Sequence, residues 1–245
     1  MHNLKMVVEY DGRGYHGWQR QKGQTTVQQV LEESIGRITG ENVRVIGSGR
    51  TDAGVHALKQ TAHFKTASPL AVQNLQRAIN SYLPADIVVK ELTEVAQPFH
   101  ARFDVQSKVY MYQIFHAPIR SVQYRHLAWH VRPPLDLSAM ERGLACLKGR
   151  HDFSSFCGKR EVNRDCVRDL KEARLERTSP ELIRIYLEAD GFLRYMVRAI
   201  VGTLVEVGKG KRKPEELSDI LAARERKSAG ITAPPQGLFL VDVKY

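Results

Sequence analysis

Cysteine is scarce in this chain: Cys146, Cys157 and Cys166 are the only three in 245 residues, and no two form a Cys-x-x-Cys pair. Thiols so few and so spaced exclude a disulfide framework and match no common zinc template, even with His151 nearby. No metal is therefore expected, and a reducing compartment is. Long apolar runs are missing too, since nothing approaches the roughly 18 residues that a membrane helix needs. The first ten residues place Glu9 after a short apolar stretch and offer no small-residue cleavage site, so they read as a strand rather than a secretory signal. A cytoplasmic protein with no membrane partner is the expectation. Phosphate-binding loops are also lacking: no Gly-Lys-Ser/Thr follows the glycines, and their spacing is not G-x-G-x-x-G. A nucleotide cofactor is not expected.

Acidic residues are in deficit, 27 against 37 lysines and arginines, giving a formal charge of +10 and a pI near 9.6. Most of the surplus lies beyond residue 104. Such a surplus suits a polyanionic partner, with nucleic acid ahead of a membrane because no basic amphipathic anchor stands out. A merely soluble basic protein is the plainer alternative. The 42% hydrophobic content is ample for a sizeable core in one large domain or two smaller ones.

Periodicity supplies the organisation. Leu4–Tyr10 reads as a strand. Val27, Val30, Leu31, Ile35 and Ile38 recur at helical spacing behind Thr26, and Gly40 stands where the helix should end. A strand near 43–47 leads into a glycine loop, and Gln60–Lys65 returns from it. Ser68-Pro69 looks like the cap and first turn of a helix that Pro84 stops, and Asp86–Val95 is a further strand. The order β-α-β-β-α-β then recurs with insertions: strands at Lys108–His116, 168–177, 182–189 and Gly237–Lys244, an extra one near 126–131, and helices at Leu137–Leu147, Leu193–Val207 and Pro214 to about Ala223. Two copies of a split βαβ unit predict an α+β protein of two tandem ferredoxin-like halves, antiparallel sheets backed by helices on one side, with a ligand cleft where they meet. The boundary falls near 98–106, where Pro98 interrupts the pattern, giving domains 1–104 and 105–245.

The stretch Gly47-Ser48-Gly49-Arg50-Thr51-Asp52-Ala53-Gly54-Val55-His56-Ala57 carries the chemistry. Small residues let the backbone take positive φ and let a bulky ligand come close. Arg50 two residues before Asp52 places a guanidinium beside a carboxylate that would stay ionised, poised as a nucleophile or base. A glycine-rich hairpin with an ordinary surface ion pair, or Asp52 capping its own turn, fits the spacing equally well.

This loop resembles the catalytic signature of the tRNA pseudouridine synthase A family. The likeness extends through Glu9-Tyr10-Asp11-Gly12, Gly17-Trp18-Gln19-Arg20-Gln21, Phe99-His100-Ala101-Arg102-Phe103, Lys108-Val109-Tyr110-Met111-Tyr112, Gly149-Arg150-His151-Asp152-Phe153, Met196-Val197-Arg198-Ala199-Ile200-Val201-Gly202 and Gly237-Leu238. The blocks run in order over nearly the whole chain. The resemblance implies isomerisation of uridine to pseudouridine at positions 38, 39 and 40 of the tRNA anticodon stem-loop, by a homodimer that uses no cofactor and no metal.

The resemblance also distributes roles. Asp52 is the catalytic carboxylate, adding to the sugar or the base or abstracting the C2′ proton. Arg50 fills the space left by the extruded base or holds a flanking phosphate, its alternative being a structural ion pair. Tyr110 stacks on the uracil, although Tyr112 shares its strand face and either could be the core residue. Arg198 pairs with Asp52, unless it only lines a solvated helix face, and Leu238 walls the uracil pocket, unless it is plain core. Phosphate contacts are expected from Arg20, Arg102, Arg150, Arg160, Arg164, Lys209, Lys211, Arg212 and Lys213, with the last four open to a purely solvated reading. Two rival functions remain at this point: a non-catalytic RNA clamp, and a carboxylate-dependent nucleoside or glycoside hydrolase. The second usually needs a pair of acids.

Overall fold

The computed structural model describes residues 1–158 and 165–245, so the expected contacts of Arg160 and Arg164 lie outside the described residues. In chain order the elements are β1 (His2–Tyr10), α1 (Val27–Thr39), β2 (Ile46–Gly47), β3 (His56–Thr66), α2 (Val72–Tyr82), β4 (Ile87–Val95), β5 (Ser107–His116), β6 (Trp129–Val131), α3 (Leu137–Ala145), β7 (Gly149–Asp152), β8 (Val167–Ser179), β9 (Leu182–Ala189), α4 (Met196–Gly208), α5 (Glu216–Ala223) and β10 (Leu238–Lys244). The architecture is α+β, with β-α-β-β-α-β order in tandem as the periodicity predicts. The chain divides into two compact units: Met1–Gln106 with Phe239–Tyr245, and Ser107–Leu238. The closing strand, which the pattern places with the second half, thus groups mostly with the first unit.

In the first unit the strands lie in the order β4-β1-β3-β10, and β2 also pairs with β3. β1 runs antiparallel to β3 from His2↔Thr66 to Tyr10↔Ala57 and antiparallel to β4, while β10 joins β3 in parallel at Phe239↔His56. Alternation decides what β1 buries: Leu4, Met6, Val8 and Tyr10 are inaccessible, and Lys5, Val7 and Glu9 between them are not. α1 adds Val27, Leu31 and Ile35, and α2 adds Leu75 and Ile79, all fully buried at helical spacing. Each such side chain contributes roughly 1.5–3 kcal/mol. Thr26 caps α1 through the Gln29 N–H, and Gly40 closes it in the left-handed conformation, as expected. The start of α2 differs from expectation. Ser68 accepts the Leu70 N–H in a local turn, and the helix begins at Val72 behind Ala71, which offers no side-chain cap.

β3 also buries polar groups. Ala101 donates its N–H to His63 Nδ1, and the Tyr245 hydroxyl donates to the Ala101 carbonyl at 2.7 Å. Lys5 Nζ lies about 6 Å from the Phe99 and Tyr245 ring centroids. The segment 99–104 is thereby fixed within the first unit.

In the second unit the order is β5-β9-β8-β7, all antiparallel, with the short β6 parallel to β5 at Ile114↔Trp129. β7 has no counterpart in the sequence reading. α3 packs on α4 and on β8, and α4 on β5. The pattern predicts α4 as amphipathic from Leu193. Instead it starts at Met196, and every residue to Gly208 except Arg198 and Glu206 is buried. It is a central helix, not a surface one. Among the described residues no helix is long and apolar enough to cross a membrane.

Candidate active site

The glycine loop is clamped from two sides. From the β1–α1 connection, Trp18 donates its backbone N–H to the Thr51 carbonyl at 3.2 Å, Gly54 donates to the Tyr15 carbonyl at 3.3 Å, and Tyr10 and Thr51 hydroxyls meet at 2.8 Å. From β3, Ser48 donates its N–H to the Thr61 carbonyl and its hydroxyl to Gln60 Oε1, while Gln60 Nε2 holds the Gly49 carbonyl. Burial pushes the Tyr10 phenol up, so it stays a neutral partner.

Glycine serves this clamp rather than a ligand. A Cβ on Gly47 would lie 2.5 Å from the Trp18 indole nitrogen, and one on Gly12 would lie 1.9 Å from the Val55 carbonyl oxygen. At Gly47 the room beside the backbone is filled by Trp18. Gly54 takes φ of 77° in the turn closed by the Val55 N–H on the Asp52 carbonyl, the position of a type II turn that favours glycine.

At the end of the loop, His56 Nδ1 lies 3.2 Å from the Gly12 nitrogen and 3.2 Å from an Asp11 carboxylate oxygen, and its ring stacks on Phe239 at 4.7 Å. Burial raises the Asp11 carboxyl, but hydrogen bonds from the Arg13 side chain and backbone, with His56 and Arg13 charge, outweigh it and hold it below its ordinary value.

Asp52 thus sits at the first position of a backbone turn held on both flanks, and it is half-buried. Arg50 is exposed, and among the described residues its guanidinium has no carboxylate or hydrogen-bond partner. The intraloop ion pair that the spacing suggests is not formed.

The second unit holds the other expected residues. Tyr112 is fully buried, and its hydroxyl donates to the Pro234 carbonyl at 2.7 Å, with burial raising the phenol despite nearby Arg198. Tyr110 packs edge-on against Phe192 at 5.0 Å and keeps slight exposure. The core role within the pair therefore falls to Tyr112. Arg198 is half-buried on α4. Its Nε donates to the Ala233 carbonyl at 2.7 Å, and its guanidinium lies 5.1 Å from the Tyr195 ring centroid. Tyr195 takes φ of 65° immediately before the helix, a left-handed conformation uncommon for a residue with a side chain. Leu238 is buried at the start of β10.

The basic residues divide. Arg20 is half-exposed and shares its guanidinium with the buried Glu32 at 2.9 Å. Arg212 is taken up by Glu206 at 2.6 Å and by Glu216. Lys209 lies over the Trp129 ring, while Arg102, Arg150, Lys211 and Lys213 are exposed. Among the described residues no three His, Cys, Asp or Glu side chains are grouped to hold a metal ion.

Residues 6–104 and 144–245 match a family model described as tRNA pseudouridine synthase. The chain is 45% identical to tRNA pseudouridine synthase A of Thermoanaerobacter sp. (strain X514) and 45% identical to that of Acetivibrio thermocellus, in both cases over the full length of both chains. Identity to the protein of the same name from Brevibacillus brevis is 46%, again over the full length of both.

Proposed function

The chain belongs to the tRNA pseudouridine synthase family, and we propose that it isomerises uridine to pseudouridine at positions 38, 39 and 40 in the anticodon stem-loop of tRNA. It does so as a cytoplasmic homodimer without cofactor or metal. The observation that carries this reading is the Asp52 carboxylate at a turn whose two flanks are tied by backbone hydrogen bonds to the β1–α1 connection.

The reaction breaks the C1′–N1 bond of uridine, turns the uracil, joins C5 to C1′ and releases the C5 proton to solvent. Atoms balance without an oxidant or a second substrate, so one carboxylate of fixed position suffices. Asp52 supplies it, by addition to the sugar or base or by taking and returning the C2′ proton. The target base must leave its stack, which costs a few kcal/mol. Arg50 is suited to that step because it is exposed and unpaired among the described residues, able to enter a nucleic-acid helix or bind a flanking phosphate. Tyr110 stacks on the extruded uracil, Leu238 walls it, and Arg198 steadies the Asp52 carboxylate.

Arg20, Arg102, Arg150, Lys209, Lys211 and Lys213 bind phosphates, with Arg212 a weaker candidate because two glutamates already occupy it. If about five phosphates are contacted, tRNA affinity falls by on the order of 10²-fold between 50 and 200 mM salt. A filter-binding series checks this, and a flat salt response contradicts it. The activity is tested with unmodified tRNA tritiated at uridine C5. Label release to water is expected. Tight binding without release indicates an RNA clamp, and free uracil among the products indicates a hydrolase.

A further inference from the structure

Phe103 is 74% exposed, yet the loop that carries it is closed by several hydrogen bonds of its own. Phe103 and Asp104 donate their N–H groups to the His100 carbonyl at 3.1 Å, and the Asp104 carboxylate accepts the His100 N–H at 2.8 Å. The N–H groups of Arg102 and Phe103 also reach His100 Nδ1, at 3.2 and 3.3 Å. Underneath, Ala101 is inaccessible and tied to His63 and Tyr245. Burial, with His100 and Lys65 nearby, pushes the His63 imidazole down to about 4, so it remains a neutral acceptor near pH 7.

Two neighbours complete the arrangement. The His100 ring stacks on Phe103 at 4.3 Å and 27°, and rests edge-on against His63. The Arg102 guanidinium lies 5.7 Å from the Phe103 centroid and, among the described residues, has no carboxylate partner. An apolar ring kept in water next to an uncommitted cation contributes little to folding. For single-stranded RNA the same pair supplies both recognition elements: a flat apolar face for a base and a fork of donors for its phosphate. Because the loop is already fixed, little conformational entropy is lost on binding.

We propose that Phe103 and Arg102 form a one-nucleotide subsite, in which an unpaired base of the tRNA stacks on Phe103 while the adjoining phosphate binds Arg102. This rests on the RNA-modifying reading above. It commits to an RNA nucleotide over a second copy of the chain because the exposed ring is a single residue, has the Arg102 guanidinium beside it and is carried by a strongly basic protein.

Phe103 is outside the core, so substitutions there leave folding intact. Phe103→Ala is expected to raise the Kd for tRNA by about 5- to 100-fold, the range for loss of one base–aromatic stack. Phe103→Tyr should stay near wild type, and Arg102→Gln should lower the slope of log Kd against log salt by about one. Phe103→Trp provides a direct reading: its tRNA-induced fluorescence quenching should exceed that of the wild type, whose own two tryptophans form the baseline. Quenching of Phe103→Trp no greater than that baseline at saturating tRNA, with wild-type tritium release intact, overturns the subsite alone. A shift of Phe103→Ala from dimer to monomer in sedimentation also overturns it, in favour of a protein interface. Absence of both tRNA binding and tritium release by the wild type brings down the functional reading and the subsite together.

Discussion

Asp52→Asn is expected to abolish tritium release while leaving tRNA affinity within a few-fold of the wild type. Asparagine keeps the shape and one acceptor oxygen, and the turn it opens is closed by the Asp52 backbone carbonyl, which the substitution does not touch. What disappears is the negative charge, and with it both nucleophilic addition and proton abstraction. A single general base accounts for about 10² to 10⁴-fold of rate, so the loss should reach or exceed about 10⁴-fold. Binding holds because a carboxylate near RNA phosphates only repels them. Asp52→Glu separates charge from placement: the carboxylate survives but moves outward by one methylene, and misplacement by about 1 Å already costs on the order of 10²-fold. If Asp52→Asn retains release at a tenth of the wild-type rate, the single-carboxylate mechanism is wrong.

Gly12→Ala should produce a large loss of stability for a change that adds only a methyl group. Its Cβ would stand 1.9 Å from the Val55 carbonyl oxygen, with the carbonyl carbon at 2.5 Å and the Val55 nitrogen at 3.0 Å. All three are backbone atoms of the clamped loop, so no side chain can swing aside. Relief requires moving the Asp52–Val55 turn or the β1–α1 connection, and the Gly12 N–H bond to His56 goes with it. Overpacking of this kind costs about 3 kcal/mol, which for a chain of this size lowers Tm by roughly 6–12 °C. Activity should fall further than stability, since the displaced turn carries Asp52. Gly14→Ala, two residues away, meets only an Asp86 carboxylate oxygen at 3.8 Å and serves as the control. Equal melting temperatures for the two variants would show that the loop yields.

Sequence periodicity was sufficient where one element buries one face. β1 and α1 are legible because Leu4, Met6 and Val8 alternate and Val27, Leu31 and Ile35 recur between a threonine cap and a glycine stop. β7 was not, because Gly149-Arg150-His151-Asp152 has no alternation and is held in place by pairing with β8. α4 looked amphipathic because its arginine and glutamate stand out, but its surroundings bury the remaining residues as well. In the loop, residue types announced chemistry, yet glycine cannot declare what it makes room for, and the Trp18 indole was the answer at Gly47. Arg212 read as an open cation until the fold brought Glu206 to it. Phe103 gave no signal at all, since an aromatic in a motif of aromatics is ordinarily core. Only its exposure distinguishes it.

β10 has a consequence for synthesis on the ribosome. From Phe239 onward it belongs with Met1–Gln106, but Ser107–Leu238 must be translated before it exists. Until then the nascent first unit lacks the strand that pairs with β3 at Phe239↔His56, and the His56 ring lacks its stacking partner. That open stretch of β3 is an unpaired edge, the kind of surface that invites pairing with other chains. The segment holding Asp52 therefore cannot mature as an autonomous module, and a gene cut after Gln106 would yield a fragment prone to aggregate. Completion of the first unit waits on translation of β10.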